Sequence, residues 1–173
     1  MDCGQCEPML QAMQRTFAYL FAEHSFRLAR CEDARQGEHC LIGLESDRAR
    51  IKFEIDQGTP VVYFGTLDSP LDWANEVDGV PVWYVANALL NFLEHKAGSA
   101  AGAAPAAARA PVVAPSPART TNDLLAATAA RLRPHAGELV AAFAPDRPAE
   151  WWREFDAYQA ERLKQIRQRY GNR

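Results

Sequence analysis

Long apolar runs are missing from this chain. Nothing in its 173 residues supplies the uninterrupted apolar stretch, about 20 residues long, that a membrane-spanning helix needs. The longest weakly charged stretch is an alanine- and proline-rich tract, too breakable and too polar for that role. Phosphate cradles are absent as well: neither G-x-G-x-x-G nor G-x-x-x-x-G-K-[ST] occurs, and the ten glycines are spread among turns. The four histidines, His24, His39, His95 and His135, include no pair one helical turn apart, and none lies near a serine in a G-x-S-x-G elbow. Acidic loops occur without the ligand spacing of an EF-hand. The opening MDCGQCEPML carries acidic residues and no basic stretch ahead of an apolar run, which predicts no secretory or transit segment and a cytoplasmic location. No motif dictates a chemistry, so the chain reads as a non-enzyme without a cofactor.

What is present is a globular composition, 48% hydrophobic and 10% aromatic, with an uneven distribution of charge. Residues 1 to 96 hold 8 Lys or Arg against 15 Asp or Glu, a net of −7; residues 97 to 173 hold 11 against 7, a net of +4. The tract AGSAAGAAPAAARAPVVAPSPA separates the two halves. Mixed alanine and proline makes a semi-stiff linker, so the organisation expected is an α+β domain over 1–96, a linker over 97–119 and a helical extension over 120–173.

Periodicity supplies the elements. From Pro8 to His24, Met13, Phe17, Leu20 and Phe21 recur at helical spacing. Period-two, β-prone runs follow at Phe26 to Cys31, His39 to Glu45, Arg48 to Asp56 and Pro60 to Leu67. In the third, Ile51, Phe53 and Ile55 alternate with Arg50, Lys52 and Glu54, one face buried and the other wet. Short connections at Ser46-Asp47 and Gln57-Gly58-Thr59 require antiparallel pairing. Pro81 is expected to open a second helix running to about Glu94. The fold class predicted is therefore α+β, a helix, a four-stranded antiparallel meander and a helix in a two-layer sandwich. Beyond the linker, Thr120 and Asp123 cap a helix that kinks at Pro134 and continues through Leu139, Val140 and Phe143. Asp146 is expected to cap a last helix striped by Trp152, Phe155, Leu163, Ile166 and Tyr170. These helices bury too little to stand alone and are expected to dock on the first unit or on another chain.

Three groups of residues invite a function. Cys3, Cys6, Cys31 and Cys40 could hold a tetrahedral zinc ion, which makes a zinc-stabilised structural module one alternative; the favoured reading is inert buried thiols, because the second pair is split by eight residues and a chain without an export signal keeps its cysteines reduced. The segment from Leu67 to Gly79 places Asp68, Asp72, Glu76 and Asp78 around Trp73, a composition that suits a basic protein partner through charge complementarity and an aromatic anchor. The competing reading has Leu71 and Trp73 folding back over the core, Asp78 or Gly79 capping the following helix and the rest in solvent. Arg162, Lys164, Arg167, Arg169 and Arg173 crowd the chain end and raise nucleic-acid binding or self-association as a further alternative. Glu150, Glu154, Asp156 and Glu161 precede them, so a solvated, salt-bridged helix face is favoured over nucleic acid, and contact with the acidic unit, in cis or in a homodimer, is a further alternative.

Arg50-Ile51-Lys52-Phe53, Asp56-Gln57-Gly58, Val62-Tyr63-Phe64-Gly65 and Trp83-Tyr84 leading into Leu89-Leu90-Asn91-Phe92-Leu93 resemble a diffuse group of small bacterial proteins built from a helix, four strands and a WY-led helix. Some members of that group look like immunity proteins of toxin systems. The resemblance spans about residues 9 to 95 and rests on core positions. It implies a protein-binding module that neutralises a basic toxin or nuclease, and it carries over no functional residue.

Overall fold

The structure is a computed structural model that describes residues 3–34, 38–100 and 120–170. A 3-10 turn, Gly4–Cys6, leads into α1 (Glu7–Thr16) and α2 (Ala18–His24). The single helix expected here is broken at Phe17, whose backbone leaves helical geometry while its side chain goes fully into the core. Four strands follow: β1 (Arg27–Asp33), β2 (His39–Glu45), β3 (Arg50–Asp56) and β4 (Thr59–Gly65). They pair antiparallel in sequence order, as the short connections require, with Phe53 opposite Ile42 on one side and Val62 on the other.

Two small elements were not anticipated. A hairpin of β5 (Glu76–Val77) and β6 (Val80–Pro81) lies between β4 and the next helix, and β7 (Trp83–Val85) adds a fifth strand to the main sheet against β4. The helix expected to open at Pro81 with Trp83-Tyr84 as its lead therefore begins later, as α3 (Ala86–Ala100). Trp83, Tyr84 and Val85 pair with Gly65, Phe64 and Tyr63, so β-prone residues claimed by an open sheet edge are lost to the helix. Residues 97 to 100 continue α3, and the remainder of the linker expected over 97–119 lies outside the described residues.

After residue 119, α4 (Thr121–Leu132) starts on the expected capping box, with the Thr120 side chain accepting from the Asp123 N–H and the Asp123 carboxylate accepting from the Thr120 N–H. A 3-10 turn at Arg133–His135 holds Pro134, and α5 (Ala136–Phe143) follows. The last helix, α6, spans Ala149–Tyr170. Asp146 does not cap it; it lies in the preceding turn, where its carboxylate pairs with Arg48 at 3.0 Å.

One hydrophobic core joins the two halves. Ile42, Leu44, Ile51, Phe53, Ile55, Val62 and Phe64 form the inner face of the sheet, and the buried side chains of α1, α3, α4 and α5 belong to the same cluster. Ring contacts show both ends of the chain on this face: Phe17 meets Phe53 at 4.9 Å and Phe143 meets Phe64 at 5.8 Å. The first turns of α6 join through Trp151, Trp152 and Phe155, with Trp151 against Phe92 and Trp152 against Tyr84. The helical extension thus docks on the α+β unit, which is what its own small apolar stripes require.

The cysteines overturn the expectation of free thiols or zinc ligands. Cys3 is bonded to Cys31 and Cys6 to Cys40, with Cα separations of 5.3 and 5.8 Å. Cys31 and Cys40 sit diagonally across the β1–β2 pair, and the N-terminal turn lies over them so that each takes one of its cysteines. Gln5 N–H donates to the Asp33 carboxylate at 3.0 Å beside them. Proximity across the hairpin, visible in sequence, brought the thiols near each other; the position of the N-terminal turn decided the pairing.

Candidate protein-binding surface

The connection from β4 to β7 does not stand off in solvent. It crosses the outer face of the sheet, opposite the helices, and turns a two-layer sandwich into three layers. Two glycines mark where it touches. A Cβ on Gly43 would fall 2.7 Å from the end of Leu71, and one on Gly65 would meet Ser69 and Trp83 at 2.5 to 2.8 Å, closer than side chains pack. Ser69 is buried; its hydroxyl donates to the Val82 carbonyl at 2.6 Å, and its own carbonyl accepts from Arg50 at 2.7 Å. The Trp83 indole donates to the Pro70 carbonyl at 2.9 Å.

Lys52 is the centre of this layer. The alternation in β3 points it away from the core, as expected, yet the crossing segment covers it and its exposure falls to 0%. A buried ammonium is tolerated only when its protons are taken up. Here Nζ donates to the Asp72 carbonyl at 3.0 Å, the Ala74 carbonyl at 3.2 Å and Asn75 Oδ1 at 2.7 Å, and lies 2.8 Å from Glu54 Oε1. The rings of Tyr63 and Trp83 flank it at 5.2 and 4.9 Å from their centroids. Burial and the neighbouring Glu54 charge push the Tyr63 phenol up to about 12. Lys52 is thereby the clamp that fixes residues 72 to 75 on the sheet.

The five acidic and aromatic residues singled out in this segment divide into two kinds. Asp72 and Trp73 are half-buried anchors: the Asp72 carboxylate accepts from the Ala74 N–H at 2.8 Å, and the Trp73 indole donates to Glu32 on β1 at 3.1 Å. Hydrogen bonds from Arg30 and then Trp73 hold the Glu32 carboxyl below its usual range. Asp68, Glu76 and Asp78 are exposed, Asp68 near the start of the crossing and the other two on the β5–β6 hairpin. Leu71 and Trp73 do fold back, but onto the outer face of the sheet and not over the helix-packed core; Asp78 and Gly79 turn a hairpin and cap no helix, since α3 begins at Ala86, and the carboxylates of the hairpin remain in solvent.

The hairpin carries a signal that composition did not isolate. Asp78 and Gly79 both take positive φ, 52° and 76°, the two-residue turn that Asp-Gly favours between antiparallel strands. Val77 and Val80 pair across it and are 44% and 61% exposed. Two valines in solvent, paired on one face of an acidic hairpin and carried on a clamped base, form a small apolar patch beside the exposed carboxylates of Glu76 and Asp78.

The remaining candidates end differently. All four cysteines are consumed by disulfides, and among the described residues no group of three or more His, Cys, Asp or Glu is placed to hold a metal ion. No helix among the described residues is long and apolar enough to cross a membrane. Arg162, Lys164, Arg167 and Arg169 lie exposed on the last turns of α6, Lys164 3.8 Å from Glu161, and Arg173 lies outside the described residues. No family model, curated protein or solved structure matches the chain.

Proposed function

We propose that this chain is a non-enzymatic protein-binding module whose contact surface is the acidic, valine-bearing hairpin 76–81 together with Asp68, and that its partner presents a basic surface. The observation that carries the reading is the exposure of Val77 and Val80 on a hairpin whose base is held by the buried Lys52 clamp. A preorganised patch loses little freedom on binding, and carboxylates at its rim accelerate encounter with a cationic partner. Neutralisation of a basic toxin or nuclease is the specific form that the immunity-like resemblance suggests. The two disulfides support work in an oxidising compartment in place of the cytoplasm expected from the N-terminal composition.

Co-purification with the full chain as bait, with nuclease treatment and mass spectrometry, tests the reading. A stoichiometric basic protein held by the wild type and lost on the double substitution Val77→Ser with Val80→Ser is expected. Retention of that protein by the variant, or capture only of nuclease-sensitive material, overturns it in favour of the basic helix end and nucleic acid.

A further inference from the structure

Two exposed surfaces of this chain match each other and do not touch. From residue 160 to residue 169 every residue of α6 is exposed, although the helix is anchored at its start by Trp151 and Phe155 in the core. Within this stretch Leu163 and Ile166, 53% and 45% exposed, lie on one face three residues apart. Arg162 and Arg167 border that face, and residues 160 to 169 hold four Lys or Arg against the single Glu161. The hairpin is the inverse. Val77 and Val80 are flanked by Glu76 and Asp78, and residues 53 to 95 contain no Lys or Arg at all.

Contact within one chain is not made, because both patches are open to solvent while α6 is one continuous helix fixed at its base. Pairing the α6 ends of two copies would cover Leu163 and Ile166 but would bring together two sets of Arg162, Lys164, Arg167 and Arg169. Like charges in one interface oppose that arrangement. We propose that the exposed end of α6 docks on the β5–β6 hairpin of a second copy, Leu163 and Ile166 against Val77 and Val80, with Arg162 and Arg167 facing Glu76 and Asp78. A two-fold axis makes the contact twice, doubling a patch that is small by itself. The proposal rests on the hairpin being a protein-binding surface and names the basic partner as the chain's own helix.

Sedimentation equilibrium of the full chain at low and high salt, with charge-reversed variants, tests it. The wild type forms dimers that weaken at high salt. E76K/D78K and R162E/R167E, all at exposed positions, each raise the dimer dissociation constant at least about tenfold. An equimolar mixture of the two variants restores association, since each wild-type patch then meets its wild-type complement and the two reversed patches also match. Circular dichroism establishes that both variants fold. A monomeric wild type at about 100 µM overturns the proposal, since a dimer of use to the cell is far tighter than millimolar; so does a dimer kept unweakened in the hairpin variant, which leaves the hairpin out of the contact. Failure in either form leaves the hairpin reading to its own test, the loss of a captured basic protein on the valine substitutions.

Discussion

A lysine at the centre of a β-strand, alternating with Ile51 and Phe53, reads as a solvent-facing residue, and for the bare sheet it is one. Its burial comes from residues 20 to 23 positions downstream, where two carbonyls and an amide oxygen accept from its ammonium. Removing the cation leaves those acceptors without that donor and Glu54 without its ion-pair partner, so the cost exceeds that of lost side-chain volume. Lys52→Ala is expected to lower unfolding free energy by about 3 kcal/mol or more in a urea titration, and to speed amide exchange selectively over residues 66 to 82. A change below about 0.5 kcal/mol, the range of ordinary surface substitutions, would mean the clamp contributes nothing.

At the scale of elements, the crossing segment is held to the sheet as much by close approach as by hydrogen bonds. Gly65 ends β4 where Ser69 and Trp83 come down on the backbone, and a methyl group there would displace both. Gly43 faces only the flexible end of Leu71, with Arg30 Cβ further off at 3.3 Å. Gly65→Ala is therefore expected to destabilise by about 1 to 3 kcal/mol, the range for overpacking a tight site, and to cost more than Gly43→Ala, as thermal unfolding of the two variants will show. The same geometry explains the late start of α3. Pro81 is well suited to a helix N-terminus, and the apolar stripe of Leu89, Phe92 and Leu93 is truly helical, but β7 has an open edge of β4 beside it and Trp83 reaches the Pro70 carbonyl only from an extended backbone. Local preference for a helix start at Pro81 was overridden by pairing that only the sheet offers.

For the whole molecule, the joining of N-terminus, sheet and C-terminal helices in one core is reinforced by two covalent links from the N-terminal turn to the sheet. Their sequence separations of 28 and 34 residues correspond, in the chain-entropy account, to about 3 to 4 kcal/mol each. Addition of reductant is expected to lower the guanidinium midpoint markedly, and alkylation of the native, unreduced protein to label no thiol; a midpoint insensitive to reductant would contradict the pairing. The charge split has its consequence at this scale too. The acidic outer loop and the basic end of α6 are both left uncovered after the apolar stripes of α4, α5 and the first turns of α6 have been spent on the core.

Much of this was determined by sequence alone. Period-two alternation in β3, short turns at Ser46-Asp47 and Gln57-Gly58, and the capping box at Thr120 are local signals, and each produced the element it specifies because nothing distant competed with it; the helical spacing from Pro8 produced two helices in place of one, because the core claimed Phe17 at the break. The Asp78-Gly79 turn between two valines was legible by the same logic, as the strongest short-range hairpin signal in the segment. What only the tertiary structure decided were features that depend on what covers a residue from far along the chain: the burial of Lys52, the tie of Trp73 to Glu32, the fifth strand, and the partner of each cysteine. Alternation states which face a side chain leaves by, whereas burial, satisfaction of a buried charge and the choice among nearby thiols depend on the packing of segments that the chain brings together only when folded.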